Sequence, residues 1–234
     1  TVPPTTERYA SMAITGAIFD CDGTLVDSMP MWETLFYDLL ERHGFPKDER
    51  VCALVDRCEP LSVPDECREL GLELGIDATA EELFEELRQL VREGYEHTVK
   101  PYDGTRAFLQ SLADAGIPMI VASSTGAPEV DLCLRVHGLR DFFVGIVSAE
   151  DLGLSKEEPE IYFQALEKLG TRRETTWVFE DAPFGLTTSE RAGFPNVCIH
   201  NDHDGRDEKF AREHSRVFSN EYDDVNLSLL QGLD

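Results

Sequence analysis

Apolar positions along this chain follow two different periods, and the change between them divides it. Ala17-Ile18-Phe19 is a short unbroken apolar run that stops at Asp20, as a buried strand does. Trp32, Leu35, Phe36, Leu39 and Leu40 then recur at helical spacing, with Gly44 behind them as a stop. A second helix opens at Thr79, where Glu82 completes a capping box, and runs on through Leu83, Phe84, Leu87, Leu90 and Val91. Between the two lies a polar, cysteine-bearing stretch, to about residue 75, whose helical pattern is weaker. No strand pattern occurs between about 29 and 99, so a helical insertion is expected there.

From Pro101 the periods alternate. Residues 105–115 read as helix ending at Gly116, and 117–122 as strand. Residues 128–137 read as helix ending at Gly138, and 142–147 as strand. The same pairing recurs at 159–169 with 175–179, and at 184–192 with 196–199. Such alternation predicts an α/β fold, a doubly wound parallel sheet with helices on both faces. The tail from Asn201 is polar and carries no expectation before Arg216-Val217-Phe218, a last short strand. Ligands of these sheets bind beyond the carboxyl ends of the strands. Asp20 and Asp22, Ser123 and Ser124, and Glu180 and Asp181 each fall just past an expected strand end, which gathers them on one rim.

Composition narrows the classes. The 234 residues are 41% hydrophobic and 29% charged, ordinary for a folded soluble protein and enough for one large domain plus an insertion. No apolar run approaches a membrane span, and the first residues lack the apolar core of a signal peptide. Met12 is a natural start, so residues 1–11 are read as an extension outside the fold. The formal net charge of −25 argues against nucleic acid or an anionic membrane as partner. It also means that any anionic ligand would be drawn in only by local cations. The six cysteines form no CxxC pair, which favours reduced thiols and a cytoplasmic setting over disulfides or zinc.

Chemistry concentrates in Asp20-Cys21-Asp22-Gly23-Thr24-Leu25-Val26-Asp27-Ser28. Side chains two apart on an extended chain share a face, so Asp20 and Asp22 can lean into one space, at a cost unless a cation or shared proton is present. Gly23 allows a sharp turn and the Thr24 hydroxyl can hold it. Each feature also has a plainer reading. Asp-x-Asp-Gly can be only a turn, Ser123-Ser124-Thr125-Gly126 a loop whose hydroxyls cap the next helix, and Lys156-Glu157-Glu158-Pro159-Glu160 a solvated charge run. Glu180-Asp181 can be an acidic pair at a helix start. Trp32, Met29 and Met31 read as helix packing.

Taken together, four motifs in order over most of residues 14–200 resemble the haloacid dehalogenase superfamily, in its phosphatase and phosphosugar-mutase branch. They are Asp20-Cys21-Asp22-Gly23-Thr24, then Ser123 closing Met119-Ile120-Val121-Ala122, then Lys156, then Glu180-Asp181. The resemblance implies a Rossmann-like core over 12–28 and 100–234, with residues 29–99 inserted as an α-helical cap that closes over the site. It implies Asp20 as nucleophile, Asp22 as general acid and base, and Mg²⁺ held by Asp20, Asp181, the backbone carbonyl of Asp22, and Glu180 directly or through water. Lys156, Ser123, Ser124 and Thr24 would serve the phosphoryl group, with Lys156 also beside the nucleophile. Where the family often has Lys-Pro-x-Pro, this chain has Lys156-Glu157-Glu158-Pro159, and the missing proline predicts a looser loop.

The activity so implied is a Mg²⁺-dependent phosphatase of a small phosphorylated metabolite, acting through an aspartyl-phosphate as a monomer or weak homo-oligomer. A β-phosphoglucomutase-like mutase is the second reading, although the cap stretch Leu54-Val55-Asp56-Arg57 lacks the glycine of that type. A catalytically inactive binding protein is the third. Dehalogenation is disfavoured, because a departing halide needs no proton and Asp22 would be superfluous. Arg50 and Arg57 are candidate cap cations, Arg57 equally a surface residue.

Overall fold

In a computed structural model, the structure describes residues 13–58, 61–201 and 206–231. The expected extension at 1–11 lies outside them. In chain order the elements begin with β1 (Gly16–Phe19), followed by helices α1 (Met29–Trp32), α2 (Leu35–Arg42), α3 (Glu49–Cys58), α4 (Val63–Leu74) and α5 (Ala80–His97). Next come α6 (Thr105–Asp114), β2 (Met119–Ser123), α7 (Ala127–Val136), β3 (Phe143–Ser148), α8 (Ala149–Leu152) and α9 (Glu160–Leu169). The chain continues with β4 (Thr176–Glu180), α10 (Pro183–Arg191), β5 (Asn196–Ile199), α11 (Glu208–His214), β6 (Val217–Ser219) and α12 (Leu227–Gln231). The described residues form two compact units, one up to Asp27 and from Lys100 onward, the other Ser28–Val99.

The first unit holds one six-stranded sheet in the order β3-β2-β1-β4-β5-β6, with every pairing parallel. From β1 the chain builds outward to β2 and β3, then returns to lay β4 on the opposite side of β1. Connections leaving β1 and β4 therefore diverge, and the rim between them is where this topology opens a crevice. β1, β2, β4 and β5 are buried along their whole length, whereas Val144 of the edge strand β3 is exposed. Phe19 and Phe179, in register on β1 and β4, stack with ring centroids 4.2 Å apart, a contact of about 1 kcal/mol beyond its buried area.

β1 and β5 end where expected, whereas β2, β3 and β4 each end one residue later, and β2 starts at Met119, two residues later. Ser123 pairs with Ser148, and Glu180 with Cys198, so each ladder continues one residue past the apolar run. Backbone pairing does not stop where hydrophobicity does. The polar tail also holds more than expected, since α11 and α12 flank β6.

In the second unit, residues 28–99 form five helices and, among the described residues, no strand. The Thr79–Glu82 capping box forms as expected, with the Thr79 amide 2.8 Å from the Glu82 carboxylate and the Glu82 amide 3.2 Å from Thr79 Oγ1. Leu83, Leu87, Val91 and Tyr95 follow at four-residue spacing as the buried face of α5. A separate apolar cluster joins Leu40, Val51, Leu54, Cys58, Leu70 and Leu74. The stripe from Trp32 to Leu40 is two helices rather than one. Thr34 interrupts it, its hydroxyl donating to the Met31 carbonyl and to Asp38, the local competition that disfavours threonine inside helices. Among the described residues no helix is long and apolar enough to cross a membrane.

Candidate active site

The rim between β1 and β4 is built by two abrupt turns. Asp20 follows β1 and its amide donates to the Phe179 carbonyl, 3.0 Å away, the last bond tying it to the sheet. The chain then folds back on itself, with the Leu25 and Val26 amides both donating to the Cys21 carbonyl and the Gly23 amide to Val26. Gly23 sits at φ +75°, and a Cβ there would overlap the Asp181 carboxylate, so both conformation and space demand glycine. On the neighbouring tip, Glu180 is the last residue of β4 and Asp181 the first beyond it.

These turns bring Asp20, Glu180 and Asp181 together, one carboxylate oxygen from each lying within 4.8 Å of the others, all buried. The Asp22 side chain is not one of the three; its carboxylate accepts from Thr125 Oγ1 at 2.9 Å. Lys156 enters the cluster with its ammonium 2.7 Å from Asp20 Oδ1 and 2.5 Å from Glu180 Oε1. The loop that lacks the family's proline is tied to α10. The Glu157 carbonyl accepts from Thr188 Oγ1 and from the Arg191 guanidinium, which pin the segment where proline would otherwise stiffen it.

Glu180 is fully engaged. Its Oε1 also accepts from the Tyr162 hydroxyl at 3.1 Å, and Oε2 accepts the amides of Asp181 and Ala182. A Cβ on Gly185 would collide with this carboxylate. Thr24, wholly buried, donates its hydroxyl to Asp181 Oδ1 at 2.9 Å rather than toward an open space. Ser123 is buried and its hydroxyl accepts the Thr125 amide at 3.1 Å, while Ser124 is exposed. The α7 start at Gly126 takes no side-chain cap, so Ser123 does not cap that helix.

Charge in the cluster is out of balance, and the proton affinities record it. Burial, only partly opposed by Lys156, pushes the Asp20 carboxyl well above the usual range, with Glu180, Asp181 and Asp22 adding to the rise. Asp181 is raised by burial as well, with Arg206 opposing. Burial disfavours the Lys156 ammonium, yet Asp20 and Glu180 outweigh it and hold lysine charged. Buried carboxylates of this number, all hard oxygen donors, suit a small divalent cation such as Mg²⁺, and the two basic side chains now touching them stand in the same electrostatic role.

Four contacting residues escaped the sequence reading. Thr125 holds Asp22, Tyr162 holds Glu180, and Asn201 and Arg206 both contact Asp181. Asn201 lies just beyond the tip of β5, so the strand-end rule could have found it. Arg206 stands in a polar tail with no periodicity, and only the three-dimensional structure reveals it.

The haloacid dehalogenase-like hydrolase family matches residues 17–199. Among curated proteins, the fructose-1-phosphate phosphatase YqaB of Escherichia coli (strain K12) is 26% identical over 199 residues, covering 82% of this chain and 97% of that one. Hexitol phosphatase A of the same organism is 30% identical over 188 residues, covering 80% and 84% respectively. Among solved structures, CbbY from Rhodobacter sphaeroides in complex with phosphate superposes with a TM-score of 0.77 at 19% identity, covering 94% of this chain and all of that one. The chain belongs to the haloacid dehalogenase-like hydrolase family. Within it, the chain is a hydrolase of phosphoric monoesters.

Proposed function

We propose that the chain removes the phosphoryl group from a small phosphorylated metabolite, a sugar or sugar-alcohol phosphate above all, through a covalent phosphoryl-Asp20. The observation that carries this reading is the juxtaposition of Asp20 with Lys156, 2.7 Å apart, inside a buried triad of carboxylates. Asp20 Oδ attacks phosphorus, forming one O–P bond as the bond to the leaving alkoxide breaks; water then cleaves the acyl phosphate. Lys156 lowers the repulsion between that carboxylate and the incoming anion, which matters in a chain of net charge −25. Asp22, set by its bond from Thr125, gives a proton to the alkoxide and later takes one from water.

Asp20 and Asp181, with the Asp22 carbonyl, are the residues we assign to Mg²⁺, which when bound would neutralise charge on the phosphoryl oxygens. Glu180, whose oxygens already accept from lysine, tyrosine and two amides, instead fixes Lys156. Thr24 orients Asp181 rather than touching phosphate. Ser123 is left to receive a phosphoryl oxygen. The helical unit we assign to substrate choice, as the cap that the motifs imply.

Asp20→Asn is the test. With Mg²⁺ present, hydrolysis of a panel of sugar and sugar-alcohol phosphates is expected to fall by about 10³-fold or more with the fold intact. Wild-type protein inert toward the whole panel rejects the reading, as does hexose 1-phosphate isomerisation without hydrolysis.

A further inference from the structure

Arg206 lies outside every strand and helix, two residues before α11, yet its guanidinium pairs with Oδ2 of Asp181. The pair is shielded, with side-chain exposures of 12% for the arginine and 1% for the aspartate. The same carboxylate is already crowded: Thr24 donates to Oδ1 at 2.9 Å, and the Asn201 amide donates to Oδ2 at 3.1 Å. A carboxylate offers about four lone-pair positions, so a cation added on Oδ2 meets the guanidinium directly. Charge points the same way. Three buried carboxylates face two basic side chains, leaving one negative charge over; replacing the guanidinium by a divalent ion brings the group to neutrality.

We propose that Arg206 is a built-in counter-cation that competes with the divalent metal for Asp181 and gives way when the metal binds. This rests on the assignment of Asp20 and Asp181 as a metal site. In the metal-free protein Arg206 offsets charge that burial would otherwise make costly, so the site keeps its shape while empty of metal. The same contact weakens metal affinity, because the ion must first displace an arginine held at high effective concentration. The consequence is a threshold: metal binds only when abundant enough to win the exchange.

The test is Mn²⁺ binding, followed by electron paramagnetic resonance and calorimetry without substrate, to wild type and to Arg206→Ala, Arg206→Gln and Arg206→Lys. Alanine and glutamine variants are expected to bind Mn²⁺ at least about tenfold more tightly, with lysine between them and wild type. Millimolar guanidinium ion is expected to weaken Mn²⁺ binding to Arg206→Ala competitively, beyond matched NaCl, and to leave wild type unaffected. Equal affinities overturn the proposal. Tighter binding that guanidinium does not reverse also overturns it, since removal of a nearby positive charge would then be the whole effect. Should neither wild type nor any variant bind Mn²⁺, the metal assignment itself falls and the competition with it. Circular dichroism screens the folding of each variant, and the charge-conserving lysine carries the test if the neutral ones do not fold.

Discussion

The two units place charge in opposite settings. Around β1 and β4, carboxylates and basic groups are buried, interlocked and outnumbered on the basic side. In the helical unit the ion pairs lie on the surface, Arg42 with Glu93 and Arg57 with Glu73, each partner about half exposed, although Glu66 of α4 is buried. Water and salt already solvate the second kind, so such pairs add little; the first kind has no solvent to fall back on. Buried ionic clusters are poor stabilisers, so one kept at a topological switch point supports the catalytic role proposed for it.

The largest expected effect comes from removing the Lys156 ammonium from the cluster. Lys156→Met leaves Asp20 and Glu180 buried without it, and a loss of about 3–5 kcal/mol is expected from urea unfolding, together with loss of hydrolysis. A stability change below about 1 kcal/mol would mean that the cluster is far better hydrated than its burial implies, and the contrast between the units would shrink.

Legibility in the sequence follows the same divide. Alternating periods give the sheet and its helices because core strands such as Ile120-Val121-Ala122 bury every side chain. Asp20, Asp22, Glu180 and Asp181 stand out because charged residues just past apolar runs are rarely there for packing, whereas Lys156 lies in a charge run and is marked only by the order of the family motifs. What stayed hidden is whatever acts through a partner remote in sequence. Thr125 looks like any loop hydroxyl until Asp22, 103 positions away, is found to accept from it. Thr24, expected near phosphate, turns to Asp181 for the same reason. Arg206 lies in a tail where charge is so dense that one arginine carries no signal.

Glycines sharpen the comparison. Gly185→Ala drives a methyl into the Glu180 carboxylate, which is locked by Lys156 and Tyr162, and a loss of about 1–3 kcal/mol is expected in chemical denaturation. Gly75→Ala, at φ +65° behind α4 with nothing within 4 Å of the new methyl, is expected to lose about 1 kcal/mol from backbone conformation alone. Reversal of that order would show the active-site shell to be the softer region.

Two thiols test burial without ion pairing. Burial pushes Cys67 of the helical unit and Cys198 of β5 from 9.0 up to about 12, with Glu66 adding to the first and Asp181 and Glu180 to the second. Each folded thiol keeps its proton where the unfolded one loses it. Their contribution is therefore complete below pH 9 and is lost as pH rises toward 12, by up to about 1.4 kcal/mol per pH unit for each. Cys67→Ala and Cys198→Ala should flatten the alkaline fall in stability equally, and an effect confined to Cys198 would assign the shift to Asp181 and Glu180 rather than to burial.

The smallest effect is expected where charge is most visible. Arg57, a candidate substrate contact by its place in the inserted segment, meets Glu73 at 3.0 Å with both side chains half exposed or more. Its guanidinium joins α3 to α4 through solvent-screened attraction, and holding two long side chains in one geometry costs entropy that offsets most of the gain. A double-mutant cycle with Arg57→Ala and Glu73→Ala is expected to give a coupling of about 0.5 kcal/mol or less, falling further in 0.5 M salt. KM for the best substrate should not move in Arg57→Ala if the residue is committed to this surface pair. A KM rise with unchanged stability would return Arg57 to substrate recognition, and would show that exposure in the helical unit does not by itself separate solvated charge from functional charge.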